Sequence, residues 1–174
     1  MYNFIKAVKK EALAGLVVVT LLILFRLIPH PSNFTPILAA GIFAGFYFKN
    51  FFTGSFIVIF SMFVGDLFLG FHSTMFFTYT SLTIAVALGL LIKKLKYKEI
   101  IFSGLSSSIC FFLITNFGVW LTTEMYVKNI EGLMQSYILA IPFFHNTLIS
   151  TFLYLAIFKL IFEISIKRKI INAS

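Results

Sequence analysis

The chain reads as apolar runs separated by short lysine clusters, and no stretch between them is polar enough to cover a globule. Of the 174 residues 60% are hydrophobic and 11% are charged. Soluble domains carry about 25% charged residues. This balance excludes soluble globular, disordered and disulfide-framework classes and points to an integral membrane protein. The net charge of +8 does not indicate nucleic acid, because the lysines and arginines sit between apolar runs and not in a stripe interleaved with aromatics. Cys110 is the single cysteine, so no intrachain disulfide can form.

A hydrocarbon core of about 30 Å needs roughly 20 apolar helical residues. Six segments approach that length: Ala12–Ile28, Phe34–Phe48, Phe51–Leu69, Phe76–Ile92, Ile100–Leu121 and Leu133–Phe162. The first lacks a small-residue cleavage pattern and ends at Arg26 and Pro29-His30-Pro31, so it reads as a retained helix, not a signal peptide. The second is short, and the last is long, with Pro142 expected to kink it. No linker, composition shift or repeat divides residues 1–174, which read as one transmembrane domain.

The basic residues set the expected topology. Lys6, Lys9 and Lys10, then Lys49, then Lys93, Lys94, Lys96 and Lys98, then Lys167, Arg168 and Lys169 all fall on one side of a six-span chain. Arg26 and Lys128 fall on the other. The expectation is an all-α protein with six transmembrane helices and both termini cytoplasmic. Small residues four apart, in Ala40-Gly41-Ile42-Phe43-Ala44-Gly45 and at Ala85 and Gly89, read as close helix packing inside the bundle.

Polar groups in hydrocarbon usually face inward or line a cavity. The outer half holds Arg26, His30, Asn33, Asp66, His72, Tyr79, Asn116, Trp120, Tyr126, Gln135 and Tyr137, with His145 and Asn146 placed deeper, nearer the middle of the last helix. The inner half has almost none before the lysines. A channel would want polar groups at every depth; this distribution predicts a pocket that opens outward and stops partway. Asp66, the only aspartate, sits near the carboxyl end of an outward-running helix, where the helix dipole disfavours an anion. Arg26, at a similar depth, is its natural partner, either pinning two helices or meeting a ligand with it. The segment from Arg26 to Phe34 carries two prolines and reads as a rigid loop over the pocket. The candidate ligand-binding set is Arg26, His30, Asn33, Asp66, Asn116, Trp120, Tyr137, His145 and Asn146. No Walker A, HExxH, Gly-x-Ser-x-Gly or dinucleotide motif is present, and three dispersed histidines do not make a metal site. No catalytic residue, cofactor or metal is expected.

Four stretches carry a resemblance: Arg26 through Pro36, Gly65-Asp66-Leu67-Phe68-Leu69-Gly70-Phe71-His72, Thr115-Asn116-Phe117-Gly118-Val119-Trp120 and Ala140-Ile141-Pro142-Phe143-Phe144-His145-Asn146-Thr147. They resemble an uncharacterised bacterial family described as transport proteins. More distantly, size, span number and orientation are similar to the substrate-binding S components of energy-coupling factor transporters. That resemblance implies a six-helix bundle in the bacterial inner membrane with an outward-facing pocket for a vitamin-like micronutrient, corrinoids among them. It also implies a small-molecule substrate and an energising transmembrane component with ATPases as partners, although some members of that group work alone. Ala12 and Ala14 have no spaced alanine partner, so the coupling motif of that group is not evident in helix 1. The alternatives are a membrane scaffold, with polar residues as interhelical glue, and an intramembrane lipid-modifying enzyme using Asp66 and a histidine.

Overall fold

The computed structural model describes the backbone of residues 2–171 and the side chains of residues 15–165. The side chains of Lys6, Lys9, Lys10, Lys167, Arg168 and Lys169, on which part of the expected topology rests, lie outside the described ones.

Seven helices follow one another: α1 (Tyr2–Leu27), α2 (Ile37–Phe48), α3 (Phe51–Leu69), α4 (Met75–Leu90), α5 (Tyr97–Thr122), α6 (Ile130–Ile138) and α7 (Ile141–Ile171). Five of the six expected segments appear as single helices. The sixth, Leu133–Phe162, is two helices that meet at a turn through Leu139 and Ala140. Pro142 is the second residue of α7 and does not kink a continuous span. In the first helical turn its missing N–H has no intrahelical partner to lose, so proline starts the helix at little cost. His145 and Asn146 therefore lie near the start of α7, not near the middle of a long helix.

Three helices are long and apolar enough to cross a membrane: Phe51–Leu69, Tyr97–Thr122 and the Ile141–Ser165 part of α7. Gly15–Leu27, Ile37–Phe48 and Met75–Leu90 are apolar but shorter. The surface supports a membrane solvent. Phe52, Phe56, Phe68, Phe76 and Phe102 are exposed, whereas Ser81, Ser107, Ser108 and Thr151 are fully buried. Large apolar side chains outside with small hydroxyls inside is the arrangement a helical membrane protein adopts.

Helix α2 is the centre of the bundle, with Ala39, Ile42 and Ala44 buried against α3, α4, α5 and α7. It runs parallel to α4 at backbone contact. A β-carbon on Gly45 would stand 2.1 Å from the Val86 carbonyl oxygen, and one on Gly89 would stand 2.0 Å from that of Ile42. Gly41 faces Ala85 in the same seam. The small-residue faces seen in the sequence thus pack on each other inside the molecule. Helix α1 packs parallel to α3, from Gly15 against Ile57 to Arg26 against Gly65.

The two ends of the bundle differ. At one end Lys49 Nζ donates to the Ile92 carbonyl, and the Glu99 carboxylate accepts from the backbone N–H groups of Lys93 (2.7 Å) and Lys94 (3.2 Å). Lys159, inside α7, pairs with Glu163 and lies over the Tyr97 ring at this same end. The opposite end holds the loop after α1, the α3–α4 connection and the α6–α7 turn.

Candidate ligand-binding cavity

The end away from Lys49, Lys93, Lys94 and Lys159 contains a half-enclosed cavity of about 510 Å3. Its existence follows from helix lengths. Helix α2 has 12 residues, about 18 Å at 1.5 Å per residue. It therefore covers only part of the bundle height, and the non-helical chain from Pro29 to Pro36 runs over the space above it. That loop is fastened at several points. The Phe34 N–H donates to the Pro31 carbonyl (3.0 Å). Asn146 Nδ2 donates to the Ser32 carbonyl (3.0 Å) and Ser150 Oγ to that of Asn33 (3.3 Å), both from α7. Asn33 holds φ 61°, a left-handed conformation that asparagine tolerates better than most residues. Phe25 packs on the His30 ring and on Tyr154.

Arg26, His30, Asn33 and Asn116 line the cavity. Asp66 does not: it is fully buried behind Arg26. Arg26 Nη2 donates to Asp66 Oδ1, Tyr79 Oη donates to Asp66 Oδ2 at 2.6 Å, and His72 Nε2 stands 4.0 Å from Oδ1. Arg26 Nη1 reaches Met62 Sδ at 3.0 Å. The expected Arg26–Asp66 pair is present and joins α1 to α3, with only its cationic member on the cavity wall. Its location has a physical reason: the tyrosine hydroxyl and the guanidinium together satisfy a carboxylate that the α3 carboxyl terminus disfavours.

The other candidates are elsewhere. Trp120 Nε1 donates to the Val127 carbonyl (3.0 Å), and Lys128 Nζ donates to the carbonyls of Trp120 and Thr123. These bonds fold the α5–α6 loop and cap the end of α5. Tyr137 Oη donates to the Leu113 carbonyl (3.0 Å) and ties α6 to α5. Asn146 holds the loop, and His145 is exposed on α7 away from the wall. These five residues, Asp66 included, surround or brace the cavity without lining it.

Sequence reasoning missed most of the wall. Thr74, Thr78, Thr115, Thr147, Ser150 and His72 line it beside Met62, Phe111 and Phe143. The signal was helical spacing: Thr74 and Thr78, Phe111 and Thr115, and Phe143, Thr147 and Ser150 each fall on one helix face. Threonines are common in apolar helices and draw little notice one at a time. Among the described residues no group of three His, Cys, Asp or Glu side chains could hold a metal ion.

No curated protein and no solved structure matches the chain. A family model matches residues 6–173, and the chain belongs to that family, described as a family of unknown function, DUF6580.

Proposed function

We propose that this is a six-span inner-membrane transport protein with both termini cytoplasmic, similar in arrangement to an S component, that captures a vitamin-like micronutrient from the outer side. It acts as the capturing subunit of an energised complex or as a solitary transporter. The observation that carries this reading is the polar-lined cavity of about 510 Å3 at the end opposite the lysine loops. Lysine-rich loops favour the cytoplasmic side, which turns the cavity outward. Ligand pockets run from about 300 to 1,000 Å3, and this volume suits a ligand of one or two rings better than a corrinoid.

Two observations weigh against the alternatives. The Gly41, Gly45, Ala85 and Gly89 faces are consumed within the bundle, so they are not free to bind a scaffold's partner helices. Asp66 is sealed behind Arg26 and Tyr79, so it is poorly placed as an acid or base toward a lipid.

The test is thermal stability of the protein in mild detergent against vitamins and nucleobase precursors. A ligand at a hundred times its Kd stabilises the folded state by about 2.7 kcal/mol. The shift should shrink in His30→Ala and Asn116→Ala. A folded protein that no compound stabilises would return the weight to the scaffold reading.

A further inference from the structure

Hydrogen-bond types on the cavity wall are mixed, but its charges are not. Thr78, Thr115 and Thr147 donate to backbone carbonyls and keep lone pairs for a ligand, whereas the hydroxyls of Ser32, Thr35 and Tyr126 serve as donor or acceptor. Asn116 spends one amide hydrogen on the Phe112 carbonyl (2.8 Å) and keeps the other, together with Oδ1. Polar groups of either hydrogen-bond type therefore find partners here. The ionisable groups are one-sided. Among the described residues, those on the wall are Arg26, His30, His72 and Tyr126, and no aspartate or glutamate joins them. An anion meets a guanidinium and imidazoles that can take up a proton, while a cation meets no carboxylate.

The placement of Asp66 sharpens this asymmetry. Its side chain is fully buried, with Oδ1 held by Arg26 Nη2 and Oδ2 by Tyr79. The Arg26 side chain is 22% exposed and lines the cavity. The pair is neutral as a whole, but the guanidinium stands nearer a ligand in the cavity than the carboxylate behind it, and Coulomb energy falls with distance. Asp66 thus orients the arginine without covering it. A guanidinium carries five N–H groups. One points to Asp66, one to the weak thioether acceptor Met62 Sδ, and Nε is buried beside Gly65 with no partner among the described residues. One N–H on each Nη nitrogen remains, and the thioether contact yields to a stronger acceptor. His72 is the second group at this point. Its Nε2 lies 4.0 Å from the same Oδ1 that Arg26 holds, and its Nδ1 is 2.8 Å from Thr74 Oγ1. Arg26 and His72 are therefore neighbours on the wall.

We propose that the cavity selects a ligand bearing a carboxylate or phosphate, seated against the Arg26 guanidinium and the His72 ring, over its neutral and amine counterparts. Guanidinium and oxyanion can pair through two parallel N–H···O bonds, which fixes orientation as well as affinity. Met62, Phe111 and Phe143 supply apolar surface for the body of the ligand. This inference rests on the reading of the cavity as a capture site. It concerns the ligand's charge, which that reading leaves open.

The test uses the purified full chain in mild detergent, with affinities read by calorimetry. Nicotinate is compared with nicotinamide and with the aminomethyl analogue of the same ring, and pyridoxine phosphate with pyridoxine, so that carboxylate and phosphate form separate arms. An acid form should bind roughly tenfold or more tightly than its neutral partner, and the amine should not bind measurably. The double variant Arg26→Gln with Asp66→Asn removes both charges and keeps a hydrogen-bonding pair. In it the acid form should weaken roughly tenfold, to the affinity of the neutral form, which stays unchanged. His72→Gln, on the α3–α4 connection, should weaken the acid form alone and gives the readout if the double variant does not fold. A neutral or amine form that binds as tightly as the acid overturns the inference and leaves capture standing. So does acid-form binding that survives both variants unchanged. A folded protein that binds none of the compounds overturns both.

Discussion

Arg26 lies directly across Gly65: a β-carbon at residue 65 would stand 2.3 Å from Arg26 Cδ and 2.6 Å from Nε. The glycine is what lets the guanidinium cross the face of α3 and reach Asp66, the next residue. The three residues form one device, in which a missing side chain gives an arginine its path to a buried carboxylate. Only the arginine of the three lines the cavity.

Gly65→Ala should therefore push Arg26 off Asp66. Alanine is the better helix former by about 1 kcal/mol, but an uncompensated buried carboxylate costs about 3–5 kcal/mol. The net loss should be about 2–4 kcal/mol, read as lower unfolding stability in detergent. Asp66→Asn, which leaves Arg26 partly exposed and without its anion, should lose less than Gly65→Ala. A Gly65→Ala protein as stable as the parent would show that the arginine path is not what holds the pair.

The α2–α4 seam should tolerate no added volume. Gly89→Leu would drive a side chain into the Ile42 carbonyl, 2.0 Å from where its β-carbon must go. Overpacking costs about 1–3 kcal/mol where neighbours can move. Here the neighbour is helix backbone, so the loss should reach about 3 kcal/mol. Gly70→Ala serves as the contrasting position: no atom lies within 4 Å of its β-carbon, and the cost there comes from φ 96° alone. Comparing the melting temperatures of the two variants separates crowding from backbone strain.

Asn146→Ala should free the Pro29–Pro36 loop without disturbing the bundle. It removes one donor to the Ser32 carbonyl, worth about 1 kcal/mol. Hydrogen exchange within that loop should rise while exchange in α2 and α3 stays unchanged. If the cavity captures a ligand as proposed, its release should also quicken, because the loop forms part of the cavity wall. Unchanged exchange in the loop would mean that Ser150 and the turn at Pro31 hold it unaided.

Orientation can be read with single cysteines in a Cys110→Ala background. Ser32→Cys, at the cavity end, should react with an impermeant thiol reagent in intact cells. Lys96→Cys, at the lysine end, should react only after the membrane is opened. Labelling of both from outside would end the six-span reading. The reverse pattern would turn the cavity inward and remove the case for outside capture.

Much of this architecture was legible in the residues themselves. The apolar runs placed five of the helices, and the four-residue spacing of Gly41, Gly45, Ala85 and Gly89 marked a close seam. Arg26 and Asp66 could be paired from charge and depth alone. The break at Leu139 and Ala140 was not legible, because an apolar run through Pro142 carries the same hydropathy whether the proline kinks one helix or starts another. The wall threonines were hidden for a related reason: a threonine inside an apolar helix satisfies its own proton, so its sequence context looks the same on a cavity wall and against a neighbour.

Apolar content, helical periodicity and the placement of lysines are local properties, and they alone determined an all-helical chain built for a membrane with its polar residues gathered toward one end. Which polar residues share a space was decided by the tertiary structure. Asn146 reaches a carbonyl 114 positions away, and Asp66 lies behind Arg26 and not beside it on the wall. Such relations depend on the register and tilt of helices that meet only after folding. Periodicity states which face a residue occupies, and the packing of the other helices determines what that face meets.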